Sequence, residues 1–397
     1  MKKRIFLVIL VLIIGILIAL NYKKGNSNTK TKSKENSIEQ KVNNTMKNMT
    51  IDQKIAQMLV VYYTSDTVDD NLKTTLKERT PGGFIITQDN LKSYDKTVKF
   101  IKDLKENSKI PLILSIDQEG GTVQRLQTFE DVEVLNIPFM YNVGKTNDEK
   151  LAYDVGKVLA HEMKTIGINV VYAPVIDIYS NKEDTVIGRR SFGETKELVS
   201  KMAISTAKGL EDEGIVATYK HFPGHGDTKV DSHLSLPSID KTKEELMEEE
   251  LYPFKEAIKN NAKMIMIGHL SVPSIDGDTP ATVSKKIINI LKEDLNYKGL
   301  IITDALNMGA LTHTYTYEEI YTKSIEAGVD ILLMPIGSKD AIEKIKKNIS
   351  EERINKSVKK ILTFKYKYLK DYKLLDKSYL NNEKDKEIIY KINQSNN

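Results

Sequence analysis

Ile215-Val216-Ala217-Thr218-Tyr219-Lys220-His221-Phe222-Pro223-Gly224-His225-Gly226 joins a short, mostly apolar run to a glycine-punctuated loop crowded with titratable groups. The run Ile215–Thr218 is too brief for a helix and does not alternate, as expected of a strand covered on both faces of a parallel sheet. Seven further runs of this kind follow the chain: Met58–Val61, Gly83–Ile86, Leu112–Ile116, Asn169–Tyr172, Met264–Ile267, Leu300–Thr303 and Asp330–Met334. Helical patterns lie between most of them, for example Leu151–Ile166, Leu198–Glu213 and Leu246–Asn260. Eight strands alternating with helices over roughly 320 residues predict an α/β fold, a (β/α)₈ TIM barrel. A doubly wound open sheet is the alternative, but no Gly-x-Gly-x-x-Gly follows the first strand.

The polar residues fall where such a barrel builds its chemistry. Asp117 follows the third strand, Asp177 the fourth, Lys220 and His221 the fifth, His269 the sixth and Asp304 the seventh. All are expected just past the C-terminal strand ends, the face on which barrel active sites are assembled.

Outside the barrel the sequence changes character. Lys2-Lys3-Arg4 precede an unbroken run of mostly apolar residues from Ile5 to Leu20, so residues 1–22 read as an uncleaved signal anchor or, second, a cleaved signal peptide. Residues 23–45 are rich in Lys, Asn, Ser and Thr and read as a disordered linker. The barrel domain is expected over 46–374, with a polar C-terminal tail over 375–397 that reads as a frayed helix or tail. The first 45 residues carry nine Lys and Arg against two Asp and Glu, a balance of +7 in a chain of net +4. The remaining domain is therefore near −3, which argues against a nucleic-acid partner. Cysteine is absent, so disulfides, a thiolate nucleophile and lipid attachment through cysteine are excluded.

Several residues are candidates for chemistry. Asp304, in Thr303-Asp304-Ala305-Leu306-Asn307-Met308-Gly309, comes directly off a strand. There it could act as a nucleophile forming a covalent ester, or cap the next helix. Asp231 and His233 are one residue apart and share a face if the chain is extended, so the carboxylate could orient the ring as a general acid/base. Gly224 and Gly226 would serve as hinges of that loop. A zinc set of His221, His225, Asp231 and His233 is the rival reading. Asp117 and Arg125 flank the tight turn Asp117-Gln118-Glu119-Gly120-Gly121 and could grip adjacent sugar hydroxyls or form a structural ion pair. Arg190, in Gly188-Arg189-Arg190-Ser191-Phe192-Gly193, is a further basic donor, and His269 is either catalytic or a packing histidine.

Together Asp117–Arg125, Ile187–Gly193, Lys220–His233 and Thr303–Gly309 resemble glycoside hydrolase family 3, specifically β-N-acetylglucosaminidases that trim bacterial cell-wall muropeptides. The resemblance runs from about Met46 to Leu374. It implies a retaining double displacement with Asp304 as nucleophile and His233, assisted by Asp231, as general acid/base. It also implies that Asp117, Arg125, Arg190, Lys220 and His221 bind the terminal N-acetylglucosamine, without cofactor or metal. Some secreted relatives carry a second α/β domain; here the barrel is expected to act alone, as a monomer held outside the membrane by its N-terminal anchor. Phosphorolysis, metal-dependent hydrolysis and non-catalytic wall binding are the competing readings.

Overall fold

The computed structural model of the protein describes residues 35–184, 186–228, 236–369 and 372–395. The expected anchor over residues 1–22 lies outside them. Two compact units divide at Asn48. In the first, residues 35–47 are helical, which corrects the linker expectation over that stretch. The segment contains neither Gly nor Pro, Glu35 and Glu39 lie in its N-terminal half and Lys47 at its end, so its charges complement the helix dipole.

The second unit is the barrel. Its strands are β1 (Leu59–Tyr62), β2 (Gly83–Ile85), β3 (Ile113–Ile116), β4 (Val170–Val171), β5 (Val216–Phe222), β6 (Met264–Ile267), β7 (Leu300–Ala305) and β8 (Ile331–Leu333). All eight pair in parallel and close into a ring in chain order, β1 sealing against β8 through Leu59↔Leu332. Almost every strand residue is buried, which is why the runs read as continuously apolar rather than alternating. The connecting helices start where the sequence signals them. Thr50 and Gln53 form a reciprocal capping box, with Gln53 N–H on Thr50 Oγ1 at 3.3 Å and Thr50 N–H on Gln53 Oε1 at 3.0 Å. The pattern over Leu246–Asn260 resolves into two helices, Lys243–Glu248 and Tyr252–Lys259. Pro253 sits in the first turn of the second, where its missing N–H costs no hydrogen bond.

Two strands run further than their apolar cores. β5 continues through Lys220 and His221 to Phe222, which pairs with Ile267 after a register shift that follows Tyr219, and β7 includes Asp304. Lys220, His221 and Asp304 are thus in the strands rather than beyond them. Backbone pairing continues past the point where the side chains turn from core to cavity, and pairing is indifferent to polarity.

The C-terminal stretch, expected as a frayed helix or tail, is a docked helix. A turn at Lys377–Asn381 leads into helix Glu383–Gln394, and Leu380, Ile389 and Ile392 are buried. Asp385 meets His161 Nδ1 at 2.9 Å, and the Leu135 N–H donates to the Leu380 carbonyl at 2.7 Å. A few apolar residues in an otherwise polar segment suffice to dock it on the barrel.

At the N-terminal end of the barrel, Lys365 is fully buried and donates to Gln57 Oε1 at 2.7 Å. Among the described residues no carboxylate pairs with it, and burial pushes its pKa down to about 7. In the unfolded chain the group titrates near 10.4, so between those values the unfolded state holds more protons. Stability tied to Lys365 therefore rises with pH across this window and is lowest below it. Relative to Lys365→Met, the parent should gain on the order of 2 kcal/mol between pH 7 and 9. Urea unfolding of both proteins at the two pH values measures the difference, and parallel behaviour would show that the folded lysine keeps its ordinary pKa.

Candidate active site

A cavity of about 590 Å³ opens at the C-terminal end of the barrel. The strands deliver its chemistry at defined heights. β3 ends at Ile116, placing Asp117 at the rim; the chain then forms a short antiparallel hairpin, Gln118–Gly120 against Val123–Gln124. Period-two alternation sets Asp117 and Glu119 on the same side, and both line the cavity with Arg125. β5 supplies Lys220 and His221, β7 supplies Asp304, and the turn Gly188–Arg190 supplies Arg190.

One wall is a dense ionic cluster. Arg190 grips Glu119 with two parallel bonds, Nε to Oε2 and Nη2 to Oε1, each 2.8 Å. Lys220 Nζ lies 2.5 Å from Glu119 Oε1 and 2.9 Å from Asp117 Oδ1. Glu119 and Lys220 are both 2 % exposed. Burial alone would raise the Glu119 carboxyl, but the Arg190 and Lys220 charges outweigh it and hold the group far below the usual carboxylate range. Burial likewise opposes the Lys220 ammonium, and Asp117 and Glu119 reverse the shift, raising its pKa. Glu119, Arg190 and Lys220 are therefore charged at neutral pH. The cluster presents fixed acceptors and donors to the cavity.

Asp177 underlies the second part of the site. Its side chain is fully buried and accepts the backbone N–H groups of His221 at 3.1 Å and His225 at 2.8 Å. Its Oδ2 also lies 2.7 Å from His221 Nδ1. Burial pushes the Asp177 carboxyl up, but the His221 ring leads the groups that bring it below its ordinary value. A carboxylate there fixes the proton of His221 on Nδ1 and leaves Nε2 as the ring's remaining polar atom. His225 Nδ1 meets Thr228 Oγ1 at 2.9 Å, and burial together with His221 lowers its pKa.

Asp304 faces the cavity from β7. Burial would raise its pKa, yet His221, His269, Lys220 and the Ala305 N–H, which donates at 2.7 Å, together bring it below the usual carboxylate value. An ionised carboxylate on a rigid strand beside a water-accessible cavity is poised for nucleophilic attack. His269 packs beneath it with no exposed surface. Its Nε2 lies 2.9 Å from the Ala305 carbonyl and carries a proton, and its Nδ1 lies 2.6 Å from the Thr282 hydroxyl. Burial lowers its pKa. Held at both nitrogens, the ring acts as a brace for the end of β7.

The described cavity thus gathers Asp117, Arg125, Arg190, Lys220, His221 and Asp304. Asp231 and His233 lie outside the described residues, so the expected acid/base pair has no geometry here. The same holds for half of the alternative zinc set. Of its other half, His221 Nδ1 is engaged by Asp177 and His225 Nδ1 by Thr228. The glycine hinges are only partly that. Gly224 has φ +118°, a conformation that favours glycine, but a Cβ on Gly226 would lie 1.7 Å from the Ile178 carbonyl oxygen. Gly226 is required by close packing rather than by motion. Glu119 and Asp177 are the central residues that sequence reasoning did not select. For Glu119 the signal was the alternation of Asp117-Gln118-Glu119. For Asp177 it was only its place after the fourth strand.

Residues 50–364 match the model of the glycosyl hydrolase family 3 N terminal domain. The chain is 33 % identical over 276 residues to "Beta-hexosaminidase A" of Pseudoalteromonas piscicida, an alignment covering 64 % of this chain and 46 % of that protein. It therefore spans less than half the length of that relative. It is 30 % identical over 285 residues to the "Beta-hexosaminidase" of Idiomarina loihiensis, covering 70 % of this chain and 84 % of the other. Among solved structures, a glycoside hydrolase family 3 beta-N-acetylglucosaminidase from Paenibacillus sp. str. FPU-7 superposes with a TM-score of 0.81. That pair is 32 % identical, with 87 % of this chain and 69 % of the other covered.

Proposed function

The chain belongs to glycosyl hydrolase family 3, and from that premise we propose that it is a retaining exo-β-N-acetylglucosaminidase. The observation that carries this reading is the ionised Asp304 at the end of β7, in one cavity with the Asp117–Lys220–Glu119–Arg190 cluster. The cluster and Arg125 hold the hydroxyls of a terminal sugar, with His221 close to its ring. Asp304 attacks the anomeric carbon and forms a glycosyl ester while the aglycone oxygen leaves with a proton. Water, deprotonated by the same acid/base, then releases the sugar with its original configuration. Nearby positive charge lowers the basicity of Asp304, which also makes it a better leaving group in the second step. His233 with Asp231 is assigned the proton transfers on the strength of the sequence motif alone.

The relatives named beta-hexosaminidase support N-acetylglucosamine as the sugar removed. From the basic and then apolar N-terminal stretch we place the enzyme outside the membrane, and from the family resemblance we propose a monomer acting on cell-wall muropeptides. Among the described residues no helix is long and apolar enough to cross a membrane.

The reaction is tested by proton NMR of p-nitrophenyl β-N-acetylglucosaminide turnover, with and without phosphate and with EDTA. The β-anomer of free N-acetylglucosamine should form first and EDTA should leave the rate unchanged. First formation of the α-anomer of the free sugar would refute retention. Phosphate acceleration with sugar 1-phosphate as product would make the enzyme a phosphorylase, and loss of rate in EDTA would return the metal-dependent alternative.

A further inference from the structure

Between the two acidic residues of the hairpin, Gln118 faces the opposite way, toward the helix layer. Its Nε2 donates to Glu162 Oε2 at 2.8 Å, and its Oε1 accepts the Leu126 N–H at 3.3 Å. One buried amide thus ties the start of the hairpin to its end, beside Arg125, and ties both to Glu162 on helix Glu149–Ile166. Gln118 and Leu126 are fully buried and Glu162 is 1 % exposed. Glu162 Oε1 has no hydrogen-bond partner among the described residues.

A buried carboxyl with an unfilled oxygen is costly, and an apolar side chain of similar volume would fill the helix layer without that cost. Packing therefore does not account for Glu162, whereas the bond to Gln118 does. Burial pushes the Glu162 carboxyl up to about 8, with a further contribution from Asp385 and against the Gln118 hydrogen bond. At neutral pH the group is an uncharged acceptor rather than a counter-ion.

We propose that Glu162 is a positioning residue: through Gln118 it fixes the hairpin that presents Asp117, Glu119 and Arg125 to the substrate. The kinetic consequence rests on the glycosidase reading; the structural consequence does not. Binding residues held about 1 Å out of place lose much of their effect. Glu162→Leu should therefore lower kcat/KM for p-nitrophenyl β-N-acetylglucosaminide roughly 10- to 100-fold, mostly through KM. Gln118→Leu should do the same. The double variant should be little worse than either single one, because the two residues form a single link. Glu162→Gln keeps a neutral acceptor of the same length and should restore most of the parent's kcat/KM.

Hydrogen exchange of the sugar-free full-length proteins supplies a readout independent of turnover. Amides of residues 117–126 should exchange faster in both leucine variants, at parent rate in Glu162→Gln, and unchanged everywhere in helix Lys196–Asp212. If Glu162→Leu does not fold, Gln118→Leu carries the same comparison. A folded leucine variant with the parent's KM and the parent's exchange at 117–126 would overturn the proposal. So would a Glu162→Gln variant as impaired as Glu162→Leu. An inactive parent would refute the glycosidase reading, and exchange at 117–126 would still decide the role of Glu162.

Discussion

Asp304→Ala is expected to lower kcat for p-nitrophenyl β-N-acetylglucosaminide by roughly 10³-fold or more, because it removes the carboxylate proposed to form the glycosyl ester. Asp304 has no salt-bridge partner among the described residues, and the one hydrogen bond seen at its carboxylate is from the adjacent Ala305 N–H. Its removal therefore breaks no structural ion pair, and the variant should unfold close to the parent's midpoint. KM should change far less than kcat, since the proposed sugar-binding cluster sits on the segment after β3, on β5 and on the turn at Arg190. Azide provides the decisive control. A small anion can enter the space left by the carboxylate and attack the anomeric carbon from the same side, giving an α-glycosyl azide. Stereospecific rescue of this kind assigns the nucleophile. A folded Asp304→Ala protein with parent-like kcat would remove Asp304 from the mechanism altogether.

Glu119→Gln should cause the second large effect, and on two quantities at once. Glu119 is the only carboxylate contacting both Arg190 and Lys220 among the described residues. Among the described residues, neutralising it leaves Arg190 with no ion-pair partner and Lys220 with Asp117 alone. Removing one partner of a buried charge pair costs about 3–5 kcal/mol, so a loss of that order in unfolding free energy is expected at pH 7. The sign with pH follows from the depressed folded pKa. In the unfolded chain the carboxyl titrates near 4.3, so its contribution is complete above that value. It is lost only as the pH falls toward the much lower folded pKa. The parent's advantage over Glu119→Gln should therefore be flat from pH 6 to 8 and shrink below about pH 4. Turnover should fall with it, through kcat/KM, because Lys220 and Arg190 no longer have fixed positions. Adding Lys220→Met to Glu119→Gln should recover part of the stability and none of the activity. Equal stability of Glu119→Gln and parent at pH 7 would show that the cluster is solvated rather than buried.

Much of the barrel was legible because its strands are covered on both faces. A strand such as Leu300–Thr303 must then be apolar throughout, and the first polar residue after each run marks where the chain reaches the cavity. That logic located Asp117, Lys220, His221 and Asp304 by strand end. It misjudged only how far β5 and β7 extend, because backbone pairing leaves no mark on side-chain polarity. The docking of the C-terminal helix, expected as a frayed helix or tail, was not legible for a related reason. It depends on Leu380, Ile389 and Ile392 meeting a complementary surface, and a few apolar residues in a polar stretch do not reveal that surface.

The sequence by itself determined the parallel barrel, the face on which chemistry collects and the identity of most candidate residues, since these follow from local polarity and from chain order. Only the tertiary structure decided how the charges pair. Arg190, Glu119, Lys220 and Asp117 come from three separate segments, and Glu119 was chosen over its neighbours as the shared counter-ion by distances that no local pattern encodes. The same is true of Asp177 beneath His221, of the brace formed by His269, and of Glu162 behind Gln118. Electrostatic and hydrogen-bond energies depend on separations of a few ångströms between residues far apart in the chain, and those separations exist only once the barrel has closed.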